Sequence, residues 1–145
     1  AQLSDCEPST ILNAIGSDSR VGNKYLKYGF GFGGPCLPRD NKALAIYAGE
    51  IGLNPLISIA SDKSNSQHLQ HQIAYFIQNN SKNKPVYIYG VTYQTNTEII
   101  EESQQFEFAL ALVKSGYKVI IEESENVINE IKKRHPNLFK LKLKS

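Results

Sequence analysis

The sequence predicts an α/β fold in which a helical segment precedes a partial parallel β-sheet. Leu56–Asn79 has apolar residues at Ile73, Ala74, Phe76 and Ile77 that fit one helical face, and its polar middle at Ser61–Gln72 predicts a half-exposed part of the same long helix. Val86–Tyr89 is a short apolar run between a proline and a glycine, which predicts a buried strand. Glu102–Ser115 has apolar residues at helical spacing, and Lys118–Glu122 predicts a second strand. A strand, a helix and a strand in this order predict one β-α-β unit with parallel strands and a right-handed crossover.

The N-terminal part of the chain is predicted to contain two further helices and one long loop. Pro8–Ile15 predicts a short helix, since proline suits a first helical turn and Gly16 follows as a cap. Ser17–Gly34 is rich in glycine and aromatic residues, which predicts a loop. Asp40–Ala48 predicts a helix that ends near Gly49.

A polar run at residues 79–84 predicts a domain boundary. We therefore expect a helical portion at residues 1–83 and a sheet-containing portion at residues 84–145. Within the second portion, Glu125–Arg134 predicts a helix. Phe139–Lys144 alternates apolar residues with lysines, which predicts a short edge strand with one solvated face. So few strands predict only part of a larger sheet domain.

The composition excludes several classes of protein. The chain has 145 residues, of which 41% are hydrophobic, and a net charge of +2. This charge is too small to predict binding to nucleic acid or to a membrane surface. No apolar run approaches the length of a membrane span. We therefore expect a globular protein with no nucleic-acid or membrane partner.

The cysteines and histidines narrow the expectation further. Cys6 and Cys36 stand in different contexts and predict no disulfide framework, so we expect a reduced, cytoplasmic location. His68 and His71 have no acidic or cysteine partner at ligand spacing, so no metal site is expected. The chain begins with Ala1 rather than methionine, which predicts a piece of a longer protein or a processed product.

The segment Gly29–Asp40 places a cysteine between a glycine-rich loop and a helical pattern. Pro38 suits a first helical turn, so Cys36 is predicted at a helix N-terminus, where the partial positive charge favours a thiolate. Arg39 adds a cation nearby, and the glycines leave room for a ligand. A lone cysteine is more often a small buried residue, but these surroundings favour a reactive one.

The same loop also fits the dinucleotide-binding pattern G-x-G-x-x-G through Gly29, Gly31 and Gly34. That pattern requires a strand before it and a helix that starts within it. Here the preceding residues 23–28 are short and polar, and a Pro-Cys pair stands between the last glycine and the helical pattern. The loop is therefore not predicted to bind a dinucleotide.

The longer run Arg20–Asp40 resembles the active-site segment of the UDP-glucose/GDP-mannose dehydrogenase family, and within that family it is most similar to the UDP-glucose 6-dehydrogenases. The order of the remaining elements resembles the end of the family's helical central region, through which its members dimerise, and the start of its C-terminal Rossmann-like domain. The resemblance implies that the N-terminal domain that binds NAD is missing from this chain. It implies the same for the helix that carries the family's catalytic lysine and asparagine.

The resemblance implies catalytic roles for two residues. Cys36 matches the family's nucleophile, whose thiolate captures the intermediate aldehyde as a thiohemiacetal; oxidation gives a thioester, which water cleaves. Asp40 matches the carboxylate that organises the hydrolytic water. Without the resemblance, Asp40 would be interpreted as a favourable acid in the first turn of its helix.

The resemblance also implies a set of substrate-binding residues. Arg20 matches an arginine that reaches the sugar site of the neighbouring subunit, so activity would require a homodimer. The other matches are to the segment that lines the nucleotide and diphosphate, the loop that packs on the sugar, and an aromatic contact to the nucleotide. These are Tyr25 and Lys27, then Phe32, Gly33 and Gly34, and finally Tyr93.

Two positions depart from the pattern of the family. The family has a lysine after the aromatic residue and an arginine that opens an Arg-Glu-Ser motif, where this chain has Gln94 and Glu101. The first change removes a positive charge that faces the phosphates. The second reverses the charge where the family approaches its cofactor. A divergent specificity, a divergent NAD contact and reduced activity are the alternatives that these positions leave open.

Taken together, the resemblance predicts a fragment of an NAD-dependent nucleotide-sugar 6-dehydrogenase that oxidises UDP-glucose to UDP-glucuronate. The fragment is expected to be inactive alone. Two alternatives remain open. One is a non-catalytic dimerising module that binds nucleotide sugars, and the other is a GDP-mannose 6-dehydrogenase.

Overall fold

The computed structural model describes residues 5–144. These separate into two compact units, one ending at Phe30 and the other beginning at Gly31. Described helices occur in both units, and the second unit contains a parallel sheet with the strand order β1-β2-β3. The predicted α/β class is therefore confirmed.

The first unit contains helix α1 at Pro8–Gly16. Proline occupies the first helical turn as predicted, and the side chain of the N-cap residue Glu7 accepts a hydrogen bond from the Thr10 N–H at 3.0 Å. The predicted role of Gly16 as a cap was wrong, because Gly16 is the last helical residue and Ser17 is the C-cap. A Cβ at Gly16 would overlap the side chain of Asn23, which would have to move.

The second unit begins with two helices, α2 at Leu37–Glu50 and α3 at Leu56–Asn79. Helix α3 has the predicted bounds, whereas α2 starts three residues before its predicted start and ends two residues after its predicted end. The side-chain amide of Asn41 joins the two helices: it donates to the Ser58 carbonyl and to Asp62 Oδ1, both at 2.9 Å.

The sheet consists of three short parallel strands joined by helical crossovers. Strand β1 is Val86–Tyr89, β2 is Val119–Glu123 and β3 is Lys140–Leu143. Helix α4, Gln104–Lys114, connects β1 to β2, and helix α5, Glu125–Arg134, connects β2 to β3. The predicted β-α-β unit is thus extended by a second one, because the lysine-rich tail pairs in parallel with β2.

The core of the second unit lies between this sheet and its helices. Helix α4 has the predicted apolar face, Ser103 caps its N-terminus, and Gly116 follows its C-terminus with a φ of +87°. Strand β2 is central and is buried on both faces, so it carries the most apolar strand sequence. The buried apolar side chains come from the segment after β1, from α4 and the turn after it, from β2 and from α5: Val91, Ile100, Phe106, Ala109, Leu110, Leu112, Tyr117, Val119, Ile121, Val127 and Ile131.

Strand β1 is less buried than the sequence predicts. Its side chains alternate between half-buried and exposed, with Tyr87 and Tyr89 on the exposed side. The reason is that β1 lies at an edge of the described sheet. In β3 the expected inward position of Leu143 is also exposed, because this residue ends the other edge strand.

The end of α3 packs against the sheet portion of the unit. The Phe76 ring meets the Phe108 ring edge-on at 5.5 Å, and the Tyr117 hydroxyl donates to the Asn80 carbonyl at 2.7 Å. These contacts cross the polar run at residues 79–84, and the domain boundary predicted there stays a prediction. Within residues 5–144, none of the helices combines the length and apolar character that crossing a bilayer requires.

Candidate functional site

Cys36 is the N-cap residue of α2, as predicted, and is exposed. Leu37 and Pro38 form the start of the helix, and proline fits there because the first turn has no intrahelical acceptor for its missing N–H. The Cys36 carbonyl accepts the Asp40 N–H at 2.8 Å, which is the first helical hydrogen bond. The sulfur is therefore presented on a rigid element, at the junction between loop and helix.

Asp40 is exposed one helical turn after Cys36, and the i, i+4 spacing places both residues on the same side of α2. Its Oδ1 accepts a hydrogen bond from Arg39 Nε at 3.0 Å. This bond is the main cause that raises the pKa of Arg39; the charges of Cys36 and Glu101 add to it in the same direction. Arg39 thus lies within electrostatic reach of the cysteine and of two carboxylates.

The glycines before Cys36 pack directly against the segment that follows β1. A Cβ at Gly33 would overlap the backbone carbonyl of Glu102. At Gly34 a Cβ would lie 2.6 Å from the Tyr93 ring, and the φ of +87° is itself a conformation that favours glycine. The structure therefore brings the predicted residues Gly33, Gly34 and Tyr93 together, and only glycine allows this close approach.

Two amide side chains that the sequence reasoning missed hold the same loop. Gln104 Oε1 accepts the Gly31 N–H at 2.6 Å, and Asn65 Nδ2 donates to the Phe32 carbonyl at 2.8 Å. The two are linked, since Gln104 Nε2 donates to the Asn65 carbonyl at 3.0 Å. For Asn65, the signal available in the sequence is the polar middle of Leu56–Asn79, which by itself predicts only a half-exposed helix. Phe32 itself lines a cavity of about 580 Å³ together with Ile57, Asn65 and His68.

The two departures from the predicted pattern lie on either side of the Tyr93 contact. The Gln94 carbonyl accepts hydrogen bonds from the Thr92 and Thr97 hydroxyls at 3.0 and 3.1 Å, which closes a tight turn. Glu101 lines a cavity of about 370 Å³, and the other residues that line it include Pro35, Glu98, Glu130 and Arg134. This cavity therefore carries three carboxylates and one guanidinium.

The remaining predicted residues lie in the first unit, which is described by itself. Arg20 is exposed, and its guanidinium forms an ion pair with Asp18 at 2.6 Å, which lowers the pKa of the Asp18 carboxyl. Tyr25 is 86% exposed, and the Lys24 ammonium lies 5.8 Å from the centre of its ring. The Lys27 N–H donates to the Tyr25 carbonyl at 3.0 Å. All three predicted residues, Arg20, Tyr25 and Lys27, present their side chains to solvent.

The described residues do not fit a dinucleotide such as NAD. A dinucleotide cradle needs a strand, a glycine-rich turn and a helix N-terminus in immediate succession. After β1, however, a segment with a single glycine, Gly90, leads to α4 only at Gln104. The crevice at the carboxyl ends of β1 and β2 is lined by Glu98, Glu122 and Glu123 and by Lys144. Three carboxylates disfavour a pyrophosphate there. Among residues 5–144, no group of three or more His, Cys, Asp or Glu side chains could hold a metal ion.

Comparison with known sequences agrees with the resemblance predicted from Arg20–Asp40. Residues 1–67 match the model of the UDP-glucose/GDP-mannose dehydrogenase family, central domain. The chain is 34% identical over 107 residues to UDP-glucose 6-dehydrogenase of Rickettsia conorii, covering 72% of this chain and 24% of the relative. It is 27% identical over 131 residues to GDP-mannose 6-dehydrogenase of Pseudomonas syringae pv. tomato, covering 81% of this chain and 30% of the relative.

Comparison with solved structures supports the fold. The chain superposes on the structure of a UDP-glucose dehydrogenase from the hyperthermophilic archaeon Pyrobaculum islandicum with a TM-score of 0.80 and 24% identity. The match covers 92% of this chain and 31% of that chain. This chain therefore spans about a quarter to a third of the length of the relatives that it matches.

Proposed function

We propose that this chain, which belongs to the UDP-glucose/GDP-mannose dehydrogenase family of nucleotide-sugar dehydrogenases, is the part of an NAD-dependent UDP-glucose 6-dehydrogenase that carries its nucleophilic cysteine. The observation that carries the proposal is the presentation of Cys36. The sulfur is exposed at the start of α2, directly after a glycine loop that packs on the Tyr93 segment.

In the proposed reaction, Cys36 captures the aldehyde formed from the primary alcohol of the sugar. The thiolate sulfur bonds to the aldehyde carbon, the carbonyl electron pair moves to oxygen, and that oxygen takes a proton to give a thiohemiacetal. This addition needs no oxidant, because the carbon keeps its oxidation state. The exposure of Cys36 at a helix N-terminus supports it.

Asp40 is the proposed base for the later hydrolysis of the thioester. Its carboxylate is exposed one turn from the sulfur, on the same side of α2, where it could orient a water molecule toward the acyl carbon. The neighbouring Arg39 keeps a positive charge beside this carboxylate. Proton transfer by a positioned carboxylate contributes about 10²–10⁴-fold to such reactions.

Substrate contacts are proposed within each unit by itself. Phe32, Gly33, Gly34 and Tyr93 would contact the nucleotide sugar in the second unit. In the first unit, Tyr25 and Lys27 would offer an aromatic ring and a positive charge to the nucleotide and diphosphate, and Arg20 would serve the sugar site of the neighbouring subunit. Their exposure in the first unit supports a role in binding, since none of them is required for packing there.

NAD, in this proposal, binds to a part of the protein outside the present sequence, because residues 5–144 form no cradle for it. We therefore expect this chain alone to be catalytically inactive. Cys6 and Cys36 are both exposed and not joined in a disulfide, which fits a reducing compartment such as the cytoplasm.

A homodimer is also proposed. Helix α2, the turn after it and the first half of α3 expose a series of large apolar side chains, including Leu44, Tyr47, Leu53, Ile57 and Ile59. An exposed apolar surface of this kind indicates an interface. In the proposed dimer, Arg20 would reach the substrate site of the partner subunit.

Two alternatives are kept, each for one observation. A GDP-mannose 6-dehydrogenase is the first, since relatives with both activities in their names match this chain. A non-catalytic module that binds nucleotide sugars is the second, since Gln94 and Glu101 replace two cations of the family's pattern.

Capture of an aldehyde tests the proposal without requiring turnover. We would incubate the Cys6→Ser chain with the 6-aldehyde of UDP-glucose and then measure alkylation of Cys36 by iodoacetamide. The aldehyde should slow alkylation by at least about tenfold, whereas glucose 6-aldehyde without the nucleotide should not. Alkylation at an unchanged rate, with the UDP-aldehyde bound, would contradict the enzymatic proposal and favour the binding module.

Calorimetric titration distinguishes UDP-glucose from GDP-mannose as the substrate. UDP-glucose and UDP should bind with similar heats, and GDP-mannose should bind at least about tenfold more weakly, a difference of about 1.4 kcal/mol. Tighter binding of GDP-mannose would replace the UDP-glucose assignment by the GDP-mannose alternative.

A further inference from the structure

The backbone of the cysteine loop is fixed by hydrogen bonds to side chains far away in the sequence. Gly31 donates its N–H to Gln104 Oε1 at 2.6 Å, and the Phe32 carbonyl accepts from Asn65 Nδ2 at 2.8 Å. These bonds connect the loop to the first residue of α4 and to the middle of α3. Backbone groups of a loop are more commonly satisfied by water or by neighbouring residues.

Gln104 is the central member of this network. It is only 6% exposed, so its amide has to find partners inside the protein. Its oxygen accepts from Gly31 and its nitrogen donates to the Asn65 carbonyl at 3.0 Å. Only an amide side chain offers an acceptor and a donor side by side in this way, so neither an apolar residue nor a charged residue of similar length reproduces both bonds.

The backbone of the loop packs closely against its neighbours. A Cβ at Gly31 would overlap Asn65 Oδ1, and one at Gly33 would overlap the Glu102 carbonyl. The backbone of the loop therefore directly contacts Asn65, Glu102 and Gln104. Such contact fixes the position of a backbone more closely than contacts between long side chains do.

Only two residues, Gly34 and Pro35, separate this closely packed part of the loop from Cys36. Gly34 packs on the Tyr93 ring, Pro35 restricts the backbone, and Cys36 begins α2. From the other side, α2 is tied to the same segment by the Lys42–Glu102 ion pair at 3.5 Å. The position of the sulfur relative to Tyr93 thus depends on how firmly Gln104 and Asn65 hold the loop.

We infer that Gln104 is a positioning residue for Cys36, and that with Asn65 it couples the thiol to the segment 93–104 through the Gly31–Phe32 backbone. The inference rests on the proposed function only in naming Cys36 as the group to be positioned. In this role the amide of Gln104 does not touch the substrate. It sets the distance between the sulfur and the surface that Tyr93 presents.

The test uses the Cys6→Ser chain with a nitroxide label on Cys36, and compares Gln104→Met with Gln104→Glu. Gln104→Met keeps the length of the side chain and removes both hydrogen bonds. Hydrogen exchange of the Gly31 amide should become about tenfold faster, and the nitroxide spectrum should show a more mobile label. Paramagnetic broadening of the Glu102 amide by the label should fall. Gln104→Glu retains an acceptor for Gly31 and should keep most of the protection of that amide.

The controls separate positioning from general destabilisation. Gln70→Met, on the exposed side of α3, should change neither the Gly31 amide nor the label. Unchanged Gly31 exchange and label mobility in folded Gln104→Met would overturn the inference. The inference would also be overturned if hydrogen exchange became faster by the same factor at Gly31 and at core amides such as Ile121.

A second variant covers the case in which Gln104→Met does not fold. Asn65→Ala then takes its place, and the same two readouts decide. None of these measurements requires substrate. A loop that loosens as expected, in a chain whose Cys36 does not capture the UDP-aldehyde, would support the inference and contradict the proposed function.

Discussion

In the second unit, the sheet portion buries its apolar side chains, whereas the helical portion, which contains α2 and α3, leaves many of them exposed. Around the sheet, the apolar residues of α4, β2 and α5 are buried, and Ile121 and Ile131 are 0% exposed. In α2 and the first half of α3, large apolar side chains are exposed instead, and Ile57 reaches 84%. The two portions have similar hydrophobic residues, so composition alone does not explain the difference.

What differs is the number of layers. The sheet portion packs helices against strands, so each apolar face meets another. The helices α2 and α3 meet each other along one side through polar contacts such as Asn41 with Ser58 and Asp62. Helix α3 also contacts α4, but the large apolar side chains that the two helices expose are not covered by any other described element. The sheet portion therefore buries its own apolar surface, whereas the helical portion leaves apolar surface exposed, as the proposed homodimer interface requires.

The largest expected effect compares the same substitution in the two portions. Ile131→Ala in α5 removes a fully buried side chain and should lower the free energy of unfolding by about 2–5 kcal/mol. Ile57→Ala in α3 removes an exposed side chain and should change it by less than about 0.5 kcal/mol. Urea denaturation of both variants measures the two values. Equal losses would show that the helical portion is packed in the isolated chain.

The second effect concerns a buried carboxylate in the sheet portion. Glu123 is 7% exposed, and it accepts the Val91 N–H at 2.8 Å and the Ser124 N–H at 3.0 Å. Glu123→Gln replaces one carboxylate oxygen, a hydrogen-bond acceptor, by an NH2 group. This donor then faces the backbone N–H of Val91 or Ser124, which is also a donor. The expected loss of unfolding free energy is about 1–3 kcal/mol.

Glu122→Gln, at the adjacent half-exposed position of β2, is the matched control. It should change the unfolding free energy by less than about 0.5 kcal/mol. A similar loss in both variants would mean that the bonds of Glu123 to the segment after β1 and to the start of α5 add no stability of their own.

The third prediction tests whether the exposed helices form the proposed dimer interface. If α2 and the first half of α3 form the homodimer interface, Ile57→Asp should raise the dissociation constant at least about tenfold, or about 1.4 kcal/mol. A buried carboxylate without a partner is the physical reason. Sedimentation equilibrium measures the constant, with Gln70→Asp as a matched charge change elsewhere on α3. An identical constant in both variants would place the interface away from Ile57.

The sequence was a good guide to the elements and a weaker one to the contacts between them. The sequence located the bounds of both Leu56–Asn79, which directly follows a proline, and Glu125–Arg134, whose apolar residues lie on one side. It misjudged the burial of β1, since burial depends on how many strands the sheet has and not on the strand itself.

The candidate site shows the same limit. Cys36 at a helix N-terminus followed from Pro38 and the glycines, which are local signals. Gln104 and Asn65 did not follow from the sequence, because they meet the Gly31–Phe32 backbone only after the chain has folded. An amide that bonds to a backbone group about 70 residues away leaves no local pattern.

The smallest expected effect concerns the surface ion pair between the two portions. The Lys42 ammonium on α2 lies 3.5 Å from the Glu102 carboxylate, and both side chains are about half exposed. Glu102 is also the residue whose backbone carbonyl packs on Gly33 of the cysteine loop. Water screens such a pair, so Lys42→Gln should cost less than about 0.5 kcal/mol, the same as Lys63→Gln on α3. Differential scanning calorimetry of both variants at low and high salt measures this. A loss above about 1 kcal/mol that disappears at high salt would show that charge, and not the amide network of Gln104, holds α2 to the segment after β1.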